Sequence, residues 1–488
     1  MRRPPRGRDA ALAPAEGRAR LLIPLLIAAA GLIAYANSLS NPFILDDRTA
    51  IVQNRQIRTL WPLSVPLSPP DETPVARRPL VNLTFAINYA LGGLDVRGYH
   101  AGNLAVHLLA ALTLFGLVRR TLLLPALADR FGRHATALAA TSALIWLLHP
   151  LQTEIINYVA QRTSALKGLC YLLTLYGSVR GLDPQAAAWR VLAVVACAAG
   201  MASKESMVTA PLVVVFFDRI YAFGSLAEAL RRRGRFYAAL AATWGVLAAL
   251  MASGGRTTVG FGTGTTPWTY FLNQLAIFPE YLWRIVWPRA LVVDYGTPAP
   301  LQLSDVWWQA ALALALVAAT VALLWRRPRA AFPAAAAFIV LAPTSTVVPI
   351  VTEVGAERRL YLPLAALVVL AVCSIARYIG AAYTGRRRWI PAAAIGLVCA
   401  FLAAGTALRN REFRTPLEIA QTTVERRPHG RAYFTLAYAL HEAGRRDEAL
   451  DLFHRAAREF GFAGAHFALG TELMSAGDFE AGIREFEA

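Results

Sequence analysis

The chain has 488 residues, 56% of them hydrophobic and only 16% charged, with a formal net charge of +18. Soluble domains carry about 25% charged residues, so a purely soluble protein is excluded. The positive charge does not indicate nucleic acid, because the arginines sit in short clusters between long apolar runs, as the positive-inside rule of membrane proteins predicts.

The basic segment 1–19 leads into LLIPLLIAAAGLIAYA, which is long and followed by many more apolar runs, unlike a cleaved leader. Arg2, Arg3, Arg6, Arg8, Arg18 and Arg20 flank it and place the N-terminus in the cytoplasm. Apolar segments near 20–37, 99–118, 134–149, 163–180, 188–203, 206–222, 236–253, 306–325, 331–350, 360–379 and 389–408 predict about eleven membrane crossings. Arginine clusters such as Arg119-Arg120, Arg231-Arg232-Arg233, Arg326-Arg327 and Arg386-Arg387-Arg388 mark the inner loops and pair the spans. The aromatic, amphipathic stretch 268–287 reads as an interfacial or re-entrant helix on the outer face. Cys170, Cys197, Cys373 and Cys399 all fall inside expected spans and form no CxxC pair, so neither a disulfide framework nor a zinc site is indicated. The predicted class is an all-α integral membrane domain over 20–414, with the chemically mixed loops gathered outside.

From 415 to 488 the composition turns to soluble amphipathic helix. Leu436/Leu469, Ala437/Gly470, Gly444/Gly477 and Phe453/Phe486 align at a shift of 33 residues. The tetratricopeptide period is about 34, so the tail reads as a short helical hairpin repeat whose second copy is incomplete, on the outer side.

Candidate chemistry collects in the outer loops. Asp46 and Asp47 lie about ten residues past the first span, as a general base with its partner or as a helix N-cap. Lys167 and Lys204 are the only lysines in the chain. For Lys167 snorkelling to the headgroups is the preferred reading, whereas Lys204 sits in a polar knot with Ser203, Glu205 and Ser206 that points to function. His149, Glu154 and Arg162 share the loop HPLQTEIINYVAQR, either as a polar group or as surface charges. His100, Asn103 and His107 line one face of the second span, either as interhelical donors or as a substrate-facing stripe. Two histidines at that spacing make no convincing metal pair, and no divalent metal is indicated. Glu357, Arg358 and Arg359 precede the 360–379 span and Tyr361 opens it; arginine there can clamp a phosphate or belong to an interfacial belt. There is no P-loop, GxSxG elbow or HExxH motif.

The ordered segments NPFILDDRTAIVQN, RRPLVNLTFAINYA, GYHAGNLAVHLL, HPLQTEIINYVAQR, SKESMVTAPLVVVFFDR, VVDYGTP and AERRLYLP resemble the TMTC-like family of membrane O-mannosyltransferases. That resemblance implies a GT-C fold with C-terminal tetratricopeptide repeats, in a bacterial member of the inner membrane with a periplasmic tail. It implies a polyprenyl-phosphate-linked sugar, usually mannose, moved to an acceptor hydroxyl, most often on protein, at the non-cytoplasmic face. The family's acidic pair falls on Asp46 and Asp47. With the resemblance, Lys204, Arg358 and Arg162 become candidate contacts to the donor phosphate, and Glu154 a group that orients acceptor or arginine. Arg78, Arg359, Glu205, His100, His149 and Tyr361, from the same motifs, complete the expected substrate set. The tail is shorter than the family's usual array, which bears on protein-acceptor recognition more than on catalysis; the alternatives are a GT-C enzyme acting on lipid or glycan and a non-enzymatic membrane scaffold, which would call for a long, complete repeat array.

Overall fold

The computed structural model describes residues 13–487, apart from 72, 253–259, 261–263, 347, 380–388 and 476. Arg2, Arg3, Arg6, Arg8, Arg386-Arg387-Arg388 and most of the glycine/threonine-rich loop lie outside the described residues. Among the described residues every regular element is a helix. First come α1 (Ala13–Tyr35), α2 (Pro79–Gly92), α3 (Val96–Leu122), α4 (Pro125–Phe131), α5 (Ala135–Leu147), α6 (Thr153–Asn157) and α7 (Arg162–Arg180). Then follow α8 (Ala187–Met201), α9 (Ala210–Tyr221), α10 (Leu226–Ala242), α11 (Trp244–Ala252) and α12 (Pro267–Val286). The membrane part ends with α13 (Trp307–Arg326), α14 (Pro328–Leu341), α15 (Tyr361–Ile379) and α16 (Trp389–Arg411).

Each of the eleven segments expected to cross the membrane carries one of these helices. Five helical stretches are long and apolar enough to cross a bilayer: Val96–Leu122, Leu226–Ala252, Leu303–Arg326, Glu357–Tyr378 and Trp389–Arg411. Leu22–Ser38, Ala187–Met201 and Pro328–Thr344 are shorter apolar helices. The stretch 268–287 is helix α12, which buries Tyr270, Gln274 and Tyr281 and exposes Trp268 and Trp283. Local chemistry sets several starts: proline occupies the first turn of α2, α4, α12 and α14, and the Ser225 and Thr266 side chains cap α10 and α12.

Helices α3, α5 and α7 form the centre, with α8 and α15 packed on them. Small residues permit the close approach, as expected where lipid offers no hydrophobic drive. A Cβ on Gly177 would stand 2.7 Å from the Trp189 carbonyl, and one on Gly168 would stand 2.3 Å from the Tyr361 ring. A buried knot also joins three helices: Asp218 of α9 accepts from Arg233 at 2.5 Å and Tyr237 at 2.8 Å on α10, and Arg233 reaches Ser178 of α7.

The tail adds α17 (Pro416–Arg426), α18 (Gly430–Glu442), α19 (Arg446–Phe460), α20 (Ala463–Ser475) and α21 (Phe479–Glu487). Two helix pairs begin 33 residues apart at Gly430 and Ala463, and again at Arg446 and Phe479. Gly444 and Gly477 turn each pair with φ of 78° and 87°, a region that glycine enters without strain. A Cβ on Gly470 would meet the Phe486 ring at 2.6 Å, which explains the small residue there.

Candidate functional site

The acidic pair divides between two environments. Past α1 the chain turns sharply through Leu45, whose φ of 46° is unfavourable for a side chain of that kind. Asp47 holds this turn. Its buried carboxylate accepts the backbone N–H groups of Ile44 at 3.0 Å, Val159 at 3.2 Å and Ala160 at 2.6 Å. Burial pushes the Asp47 carboxyl up to about 7, against the pull of those donors. Asp46 is exposed instead, and its backbone N–H donates to the buried Tyr158 hydroxyl at 3.3 Å. One carboxylate anchors the loop and its neighbour faces outward.

Beyond Tyr158 lies a group of buried charges. Glu154 accepts from the Arg358 backbone N–H at 2.8 Å and from its guanidinium at 2.5 Å. Glu353 bridges Arg358 and Arg359. Burial would raise Glu353, but the two arginines outweigh it and hold the carboxyl down at about 2. Arg78, 9% exposed, donates to Glu205 at 3.1 Å and to the Pro74 carbonyl. Lys204 donates to the Ser164 hydroxyl at 2.8 Å. Burial, followed by the charges of Arg78, Arg358 and Lys167, drives the Lys204 ammonium well below its ordinary value.

Lys167 corrects the snorkelling expectation: it is 6% exposed, inside the protein and within electrostatic reach of Lys204. Neither lysine makes an ion pair with a carboxylate among the described residues, whereas Arg78, Arg358 and Arg359 all do. Three arginines and two lysines thus share this region with Glu154, Glu205 and Glu353, and the two that form no ion pair among the described residues are the chain's only lysines. Cations without carboxylate partners can attract an anion.

The other expected residues hold the frame. Arg162, 2% exposed, donates to Asn103 at 2.6 Å, Asn88 at 2.5 Å and the Tyr99 carbonyl at 2.7 Å, and lies over the Phe85 ring. It ties α2, α3 and α7 together. Arg359 is similarly engaged by Tyr270, Gln274 and three carbonyls. His100 bridges the carbonyls of Asn41 and Ile156. His149 caps the turn at Pro150–Gln152 and reaches the Ile285 carbonyl. The Tyr361 hydroxyl meets His107 at 2.9 Å, beside Tyr35 and Trp146.

Tyr158, Glu353 and Ser164 belong to the site without having been singled out by sequence. Tyr158 lies within the segment HPLQTEIINYVAQR but was not itself named, and no motif covers Glu353 or Ser164. The tail also closes on the region. Arg431 forks onto Asp294, with one contact at 2.5 Å, and also meets the Thr352 carbonyl. Arg427 pairs with Glu280 at 2.7 Å, and Arg48, two residues from Asp46, pairs with Glu442 at 2.5 Å. The described residues hold no group of three or more metal-ligating side chains.

Comparisons with known proteins find relatives over part of the chain. The chain is 27% identical over 327 residues to protein O-mannosyl-transferase Tmtc1 of Drosophila melanogaster, covering 60% of this chain and 37% of that protein. It is 28% identical over 300 residues to Tmtc2 of the same fly, covering 56% and 30%. Against human TMTC1 the figures are 31% over 191 residues, covering 37% and 20%. The aligned parts amount to about a third or less of these relatives' length. No family model and no solved structure matches.

Proposed function

From the premise that this chain belongs to a TMTC-like family, we propose that it is a membrane glycosyltransferase that moves a sugar from a polyprenyl-phosphate carrier to an acceptor hydroxyl. The observation that carries the reading is the exposed Asp46 carboxylate beside a cation group with two lysines left unneutralised. In this reaction the acceptor oxygen attacks the sugar's anomeric carbon, and the bond from that carbon to the phosphate oxygen breaks. Asp46 takes the hydroxyl proton. Lys204, with Lys167 behind it and Arg78 and Arg358 alongside, stabilises the charge left on the polyprenyl phosphate. Asp47 and Arg162 position the loops that carry these groups, and Glu154 and Glu353 aim Arg358.

The wider reading is a GT-C bundle of about eleven crossings in a bacterial inner membrane, with a cytoplasmic N-terminus and this site outside. The tail is read as tetratricopeptide-like. Its contacts through Arg431 and Glu442 put it next to Asp46, which favours a protein acceptor and a mannosyl donor like those in the relatives' names. The test is transfer of labelled mannose from polyprenyl-phosphate mannose to protein by the purified chain. Lys204→Ala and Asp46→Asn should each abolish most transfer. Undiminished transfer by both would overturn the site, and no transfer from any polyprenyl-phosphate sugar would overturn the activity.

A further inference from the structure

At the other end of the bundle lies a cavity of about 440 Å³ that the proposed reaction does not use. Leu117 of α3, Tyr171 of α7, Phe217 of α9, Phe332 of α14 and Val369 of α15 line its walls. Its apolar lining along α15 runs from Leu362 to Cys373, about 16 Å at the helical rise and so about half the bilayer's hydrocarbon core of about 30 Å. One leaflet's acyl chain fits that depth. Past Cys373 the lining changes abruptly: Arg130, Arg329 and Arg377 stand at the mouth with one carboxylate, Asp129. All four side chains are exposed, and none makes an ion pair among the described residues. Helix α15 separates this mouth from Tyr361, which follows the Arg358-Arg359 turn, by sixteen residues, about 24 Å.

We propose that this cavity is a binding site for one anionic phospholipid of the leaflet remote from Asp46, its acyl chain between α3, α9, α14 and α15 and its phosphate on the three arginines. Charge complementarity selects the headgroup, since a net excess of two positive charges at a membrane surface attracts a phosphodiester that carries no compensating amine. The one-leaflet depth selects a phospholipid over a longer isoprenoid chain. This inference does not depend on the glycosyltransferase reading, because it concerns the opposite end of the bundle.

Native mass spectrometry of the full chain, released from detergent with phosphatidylglycerol or phosphatidylcholine of matched acyl chains, tests it. One positive charge at such a surface contributes about fivefold, so the net excess of two should favour phosphatidylglycerol by about twenty-five-fold. The triple variant Arg130→Gln/Arg329→Gln/Arg377→Gln should bring the two lipids to parity. Ala336→Trp, which fills the cavity, should remove one retained lipid per chain. If that variant does not fold, the smaller filling Ala366→Leu should weaken retention. Equal retention of both lipids by the unmodified chain overturns the proposal. So does a preference that survives the triple variant, full retention by a folded cavity-filled variant, or displacement by polyprenyl phosphate but not by phosphatidylglycerol.

Discussion

Replacing each member of the acidic pair by asparagine separates chemistry from architecture. Asp46 is exposed and its carboxylate anchors no backbone, so Asp46→Asn should leave stability within about 0.5 kcal/mol. If that carboxylate takes the acceptor proton, transfer falls by roughly a hundred- to ten-thousandfold. Asp47→Asn is the opposite case. One Asp47 oxygen serves Ile44 and Val159 and the other serves Ala160. An amide keeps a single acceptor oxygen and turns an NH₂ toward the third N–H. A buried donor left unpaired costs about 1–3 kcal/mol, so the unfolding midpoint should drop and activity should fall with the folded fraction. The assay is labelled-mannose transfer alongside thermal unfolding followed by size-exclusion chromatography. Asp47→Asn that is inert yet as stable as wild type, with Asp46→Asn active, would refute the division of roles.

Four further outcomes follow from the same geometry. The Asp47 carboxyl is raised from 3.8 to about 7 by burial, so the folded chain holds the extra proton between those values; its contribution to stability is complete below about 4 and is lost as pH rises through 7, and Asp47→Asn should flatten this slope in unfolding midpoints. Glu353, held at about 2 by Arg358 and Arg359 despite burial, works the other way: its stabilisation is present above 4.5 and lost as pH falls toward 2, a loss that Glu353→Gln should remove. Gly168→Ala places a Cβ 2.3 Å from the ring of the wholly buried Tyr361 and should lower stability by about 1–3 kcal/mol in thermal unfolding. Arg431→Ala removes the fork onto Asp294, so limited proteolysis should release the tail faster while the membrane part stays intact.

Much of the fold was legible because it rests on period and length. The apolar runs became helices, and the 33-residue offset of the tail recurs in the starts of both helix pairs. The site was legible only by residue type. Asp46 and Asp47 are indistinguishable in sequence, and the turn at Leu45, closed by N–H groups from residues 159 and 160, decides which is buried. Arg162 looked like a phosphate ligand because its partners Asn88 and Asn103 lie about sixty to seventy residues away. Lys167 looked like a headgroup anchor because its burial depends on neighbouring helices rather than on its own. The two lysines stand apart from the arginines in one observable way: neither forms an ion pair among the described residues, whereas Arg78, Arg358 and Arg359 do.

The segment between Val351 and Ala356 joins two jobs through adjacent residues. Thr352 gives its carbonyl to Arg431 of the tail, and the next residue, Glu353, grips Arg358 and Arg359. A protein that seats on the repeats and shifts Arg431 therefore pulls on the residue bonded to the one that sets the charge around the lysines. By reciprocity, an anion that settles on the lysines and loosens Glu353 changes how firmly the tail is held. If the tail seats the acceptor and the lysines hold the donor phosphate, as proposed above, this short tether couples the two affinities without contact between acceptor and donor.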